Sequence, residues 1–206
     1  MKPLLRFLFF PLGLMFAMNV SAALPKKKVV ILGDSITAGF GIAPQDAFPA
    51  LLEKRFKDER KIEAEIVAAG ISGSTSASGP SRMQWILKSK PDLVVLELGG
   101  NDGLRGQNID ATKENLRKSI KLAKDQSVKV VIVGMKLPGN YGKDYNQKFE
   151  KMFSDLAKEE KIDYLPFFFD KLGDMKKLVQ SDGLHPNEEG HKLIAEQIYP
   201  QLVKLL

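Results

Sequence analysis

The stretch KVVILGDSITAGFG, residues 28 to 41, carries an aliphatic, β-branched run straight into Gly33, Asp34 and Ser35. Asp and Ser behind a strand are ordinary turn and helix-cap residues. A hydroxyl at that place is also where a nucleophile would be held. Such a serine needs a base, and the chain has two histidines, His185 and His191. His185 lies in SDGLHPNEEG, residues 181 to 190, with Asp182 three residues upstream. At that spacing the two side chains can meet across a short turn. Pro186 disfavours a helical His185, and Asn187 is placed to cap a helix whose first turn holds Glu188 and Glu189. His191 falls inside that helix and reads as a helix-surface residue. Ser35, His185 and Asp182 together make a nucleophile, its base and an orienter for the base.

Acyl transfer also needs hydrogen-bond donors for the oxyanion. Asn101, in LGGNDGLRG, offers a side-chain amide, and Gly73, in AAGISGSTSASG, offers a backbone N–H. Turn chemistry accounts for both equally well: an Asn in a Gly-rich turn, and a Gly at positive φ. Leu104, Met135, Leu137 and Tyr141 flank these loops and suit an acyl chain.

Other chemistries fit poorly. Two histidines and no cysteine do not build a typical zinc site, although an all-carboxylate metal site stays open. No P-loop occurs. Gly39-Phe40-Gly41 runs on to Pro44 where a dinucleotide fingerprint needs a small residue, and Thr37 stands where a nucleophile elbow needs its second glycine. No cofactor is implied.

The candidate residues fall behind strands. Apolar, β-branched segments begin near Lys28, Ile62, Asp92, Val128 and Asp163, about 30 to 36 residues apart, the length of one βα unit. Between them run helical stripes: Phe48, Leu51, Leu52 and Phe56; Leu116, Ile120 and Ala123; Phe149, Met152, Phe153, Leu156 and Ala157; and Ile194, Ile198, Leu202 and Leu205. Alternating strands and helices predict one α/β domain with a parallel sheet covered on both faces. Ligands of such sheets bind outside the carboxyl ends of the strands, where all the candidate loops lie.

Residues 1 to 23 are read as a signal peptide. Lys2 and Arg6 precede an apolar run from Leu8 to Val20, and Ser21, Ala22 and Ala23 supply the small residues of a cleavage site. The run is short for a membrane span of about 20 residues. Their removal takes two of the 31 basic residues and none of the 25 acidic ones, so 29 against 25 leaves a charge of +4. Residues 24 to 206 then form one domain without disulfides, held by its core alone. The charges are mixed in sign and no basic stripe interleaves with aromatics, so nucleic acid is not an expected partner.

Ser35, Gly73, Asn101 and His185 occur in the order that gives the SGNH, or GDSL-type, hydrolases their name, and residues 28 to 205 resemble that family throughout. The stretches ILGDSITAG, LELGGNDGLRG, LPGNYG and DGLHPN resemble its secreted bacterial acyl-thioesterase, arylesterase and lysophospholipase subgroup. The resemblance implies a flavodoxin-like three-layer α/β/α fold with strand order 2-1-3-4-5 and a metal-free serine hydrolase. It implies Ser35 as nucleophile, His185 as base and Asp182 as its orienter. The oxyanion hole would be the Ser35 and Gly73 amides with the Asn101 side chain. The processed chain is expected to be a periplasmic monomer without a membrane anchor, and the resemblance implies small acyl esters, thioesters or lysophospholipids as substrates. Ile36 stands where Leu is usual, and Ala68 and Ser74 where Asn and Asp are usual. Two alternatives are a deacetylase of cell-wall or other sugars and an inert lipid- or glycan-binding relative. The second needs a broken triad, and all three residues are present.

Overall fold

The computed structural model describes residues 26–59, 61–168 and 175–206; the segment read as a signal peptide lies outside the described residues. The chain runs through Lys27–Gly33 (β1), Ser35–Ala38 (α1), Phe48–Glu59 (α2), Ala64–Gly70 (β2) and Gly79–Leu87 (α3). It continues through Leu93–Glu97 (β3), Gly100–Leu104 (α4), Ile109–Asp125 (α5), Lys129–Val133 (β4), Lys143–Glu160 (α6), Asp163–Leu165 (β5) and Glu188–Leu205 (α7). Every strand pair is parallel, in the order β2-β1-β3-β4-β5 expected from the resemblance.

Both faces of the sheet are covered, which is why its strands read as unbroken apolar runs. Val29 and Ile31 of β1 pack with Phe48, Leu52 and Phe56 of α2 and Ile194 and Ile198 of α7. Val30 and Leu32 point the other way, into a layer holding Met83 of α3, Ile120 of α5 and Phe153 of α6. Each fully buried large side chain contributes roughly 1.5–3 kcal/mol of hydrophobic stabilisation. The strand order reverses between β1 and β3, so their carboxyl ends open a crevice rather than a continuous edge. Ser35 follows β1 and Asn101 follows β3, one on each side of it.

Gly33 ends β1 because nothing larger fits. A Cβ there would lie 2.1 Å from Thr37 Oγ1 and 2.2 Å from Glu97 Oε2. That space is taken by a buried tie: the Thr37 hydroxyl donates to Glu97 Oε2 at 2.7 Å, and the Asp34 N–H donates to the same oxygen at 3.2 Å. The tie fixes the start of the Ser35 turn against β3. Burial, with the Asp34 charge nearby, pushes the Glu97 carboxyl well above the usual carboxylate range.

His191 departs from the sequence reading. It is fully buried rather than on the helix surface, and its Nδ1 accepts the Phe48 N–H at 3.2 Å. It lies on the same stripe of α7 as Ile194, Ala195 and Ile198, and that stripe faces α2. Burial depresses its pKa to about 4 from 6.5. The unfolded chain therefore binds the proton more readily. His191 contributes its full stability above about pH 6.5, and that contribution is lost as pH falls through about 4. The complete loss is on the order of 3 kcal/mol. The raised carboxyls Asp34 and Glu97 act in the opposite sense, so the test is a comparison. Urea midpoints taken between about pH 7 and about pH 4 should fall less in His191→Gln than in the parent. Equal slopes would remove His191 from the account.

Candidate active site

Asp34 caps α1, its Oδ1 accepting the Ile36 N–H at 3.1 Å, so the ordinary reading of an Asp behind a strand holds here. The short helix closes at Gly39, whose φ of 67° a side chain would oppose. This leaves Ser35 at the first helical position, with its Oγ 3.0 Å from His185 Nε2. His185 Nδ1 lies 2.6 Å from Asp182 Oδ2. Asp182 Oδ1 accepts the N–H groups of Leu184, at 2.9 Å, and His185, at 3.0 Å. The bond to His185, with these two backbone donors, holds the Asp182 carboxyl down to about 2. An ionised Asp182 favours the tautomer with the proton on Nδ1, which leaves the Nε2 lone pair facing Ser35. The Phe40 ring leans on the imidazole, centroids 4.6 Å apart, and limits its rotation. Asn187 caps α7 as its sequence suggests, accepting the Gly190 N–H at 2.9 Å and anchoring the loop that carries His185. Hydroxyl, imidazole and carboxylate form one chain able to move a proton off the serine.

The β2 and β3 loops close the other side. Gly73 has φ of 78°, and a Cβ there would meet nothing nearer than Arg105 Nη2 at 3.6 Å. Conformation, not crowding within the chain, demands the glycine. Asn101 Nδ2 donates to the Ser74 carbonyl at 3.0 Å and to Asp34 Oδ2 at 3.3 Å. Ser74 serves through its backbone, so the Ser in place of the usual Asp leaves this support intact. The buried Asp102 accepts from the Ser76 N–H at 2.8 Å and the Ser76 hydroxyl at 2.6 Å. Arg105 Nη2 adds a bond to the Gly73 carbonyl at 3.1 Å. The sequence reading missed the clamping roles of Asp102 and Arg105, although both stand in the motif around Asn101.

Ser35, Gly73, Asn101 and His185 line one cavity of about 270 Å³. Leu104, Met135 and Leu137 line it too. Tyr141 does not; it stands one step back, its hydroxyl donating to the Leu104 carbonyl at 2.9 Å. The wall also includes Ile36, Phe40, Phe167 and Leu184, which sequence reasoning passed over. Phe40, at the end of the Ser35 turn, was the findable one. Among the described residues no group of three or more His, Cys, Asp or Glu side chains is arranged to hold a metal ion.

The family described as GDSL-like Lipase/Acylhydrolase matches residues 31–193, the span that holds all of these loops. The chain belongs to that family. It is 38% identical to the esterase TesA of Pseudomonas aeruginosa, covering 86% of this chain and 89% of the relative. It is 37% identical to thioesterase 1/protease 1/lysophospholipase L1 of Escherichia coli K12, covering 86% and 84%. A crystal structure of TesA superposes with a TM-score of 0.83 at 38% identity, covering 87% of this chain and all of that one. The fold and the hydrolase class of this GDSL-like acylhydrolase follow from those matches together. Its candidate loops lie together around one cavity at the carboxyl edge of the sheet.

Proposed function

We propose that this GDSL-like acylhydrolase cleaves acyl esters and thioesters, lysophospholipids among them, through an acyl-enzyme on Ser35. The observation that carries the reading is the unbroken Ser35–His185–Asp182 chain opening into a largely apolar cavity. Ser35 Oγ attacks the carbonyl carbon while His185 Nε2 takes its proton. Asp182 stabilises the imidazolium from Nδ1 and stays ionised. The oxyanion receives the Ser35 and Gly73 amides and the Asn101 amide. Of Asn101's two contacts, the longer, to Asp34 Oδ2 at 3.3 Å, is the one that gives way. Collapse expels the alcohol or thiol with the proton from His185. Water then enters, loses a proton to His185 and releases the acid, restoring Ser35.

The substrate class rests on the cavity wall. Leu104, Met135 and Leu137 offer aliphatic surface beside the Phe40 and Phe167 rings, a mainly apolar wall where a sugar deacetylase would want a polar one. Each buried CH₂ is worth at most about 0.8 kcal/mol. For acyl thioesters and aryl esters, kcat/KM should therefore climb from acetyl upward until the cavity is full. Leu137→Gly should flatten the series and spare acetyl-ester turnover. The test is a hydrolysis panel of acyl thioesters, aryl esters, lysophospholipids and acetylated sugars. A rate that falls steadily with chain length, with acetylated sugars preferred, would transfer the assignment to the deacetylase alternative.

The signal-like residues 1 to 23 and their small-residue boundary support processing after Ala22 or Ala23 and release of a periplasmic product. Among the described residues no helix is long and apolar enough to cross a membrane. Intact mass of the recovered protein decides it: a species retaining Lys2 and Arg6 in the membrane fraction would defeat this part of the reading.

A further inference from the structure

Four large apolar side chains among the described residues are more than a third exposed: Phe40 at 49%, Ile71 at 56%, Trp85 at 71% and Leu184 at 39%. They are not scattered. Phe40 and Leu184 line the mouth of the Ser35 cavity. Ile71 and Trp85 line an apolar groove of about 350 Å³ between the end of β2 and α3. The two depressions meet at the β2 loop, where Ile71 borders the groove and the next residues, Ser72 and Gly73, border the cavity. Scattered exposed apolar residues need no explanation, but a contiguous patch beside a site marks an interaction surface.

Charge indicates which partner the patch fits. From Ile66 to Pro91, the segment that builds the groove, there is no acidic residue, while Arg82, Lys88 and Lys90 are present. Arg82 is committed to the fold, donating to the Gly33 carbonyl at 3.0 Å and to the Ala69 carbonyl. Lys88, three residues beyond Trp85 at the end of α3, is exposed. An exposed indole with a lysine three residues on, in a segment free of acidic residues, is the composition that seats at the headgroup level of an anionic lipid surface.

We propose that the face formed by Phe40, Ile71, Trp85 and Leu184 docks this enzyme on an anionic phospholipid surface and presents the Ser35 cavity to it. Its purpose rests on the acyl-lipid reading; its geometry does not. Trp85 is the sole tryptophan, so its fluorescence reads this face alone. The experiment uses the processed chain, residues 24 to 206, which holds every described element of the fold. Ser35→Ala in that chain separates binding from hydrolysis.

Vesicles of phosphatidylcholine with phosphatidylglycerol should shift Trp85 emission to the blue, more than phosphatidylcholine alone, and added salt should weaken the effect. Ile71→Asp should weaken vesicle affinity by roughly tenfold or more. It should leave hydrolysis of a dissolved short aryl ester by the Ser35 parent unchanged. Should Ile71→Asp not fold, Trp85→Ser followed by vesicle co-sedimentation asks the same question. No shift with either vesicle overturns the proposal, as does a shift that Ile71→Asp leaves intact. A shift that follows protein concentration without vesicles also overturns it, in favour of self-association. Absent aryl-ester hydrolysis would count against the esterase reading, whereas hydrolysis without vesicle binding would sink only the docking surface.

Discussion

Ser35→Ala is expected to lower kcat on aryl esters by about 10⁴ to 10⁶, with KM little changed. No acyl-enzyme forms without Oγ, and the remaining groups can only orient the substrate and polarise its carbonyl. Among the described residues the hydroxyl bonds only His185 Nε2, across the open cavity rather than within the core. The variant should therefore unfold at nearly the parent temperature, which separates lost chemistry from lost structure. Steady-state rates beside a thermal melt give both answers. A variant that kept most of its activity would place the nucleophile elsewhere.

Asn101→Ala should lower kcat by about 10² to 10³ while leaving KM nearly intact, a loss of roughly 2.7–4 kcal/mol of transition-state stabilisation. The residue is held in place before substrate arrives, by the Ser74 carbonyl on one side and Asp34 on the other. Asp102 and Ser76 keep the two loops together independently of Asn101, so its loss should not open the site. The split between constants is what distinguishes the roles. A rise in KM with kcat unchanged would make Asn101 a binding or turn residue.

The parts of the molecule legible in the sequence are those governed by period and order. Val29 to Leu32 read as a strand buried on both faces because their alternate side chains enter two different apolar layers. Asp182 and His185 could be paired from spacing alone, since three residues across a Gly183 turn bring Nδ1 and Oδ2 to 2.6 Å. Other features depend on loop conformation, which leaves no periodic trace. Phe167 and Leu184 reach the cavity wall from separate loops, and Tyr141 braces Leu104 instead of lining it. His191 was misread for a different reason: as a polar residue it was set aside from a stripe whose spacing it fits. A buried imidazole needs an acceptor or donor partner, and the Phe48 N–H at the start of α2, far away in sequence, was invisible until the two helices packed.

The most direct test of the serine-hydrolase assignment is covalent. A fluorophosphonate phosphonylates an activated serine and, lacking a carbonyl to be deacylated, stays bound. Intact mass and peptide mapping of the treated protein should show one adduct, on the peptide containing Ser35, with activity lost in proportion to labelling. Ser35→Ala should take up no label, and chelator should change neither labelling nor rate. Label on another residue, or full ester hydrolysis by a protein completely modified at Ser35, would contradict the account.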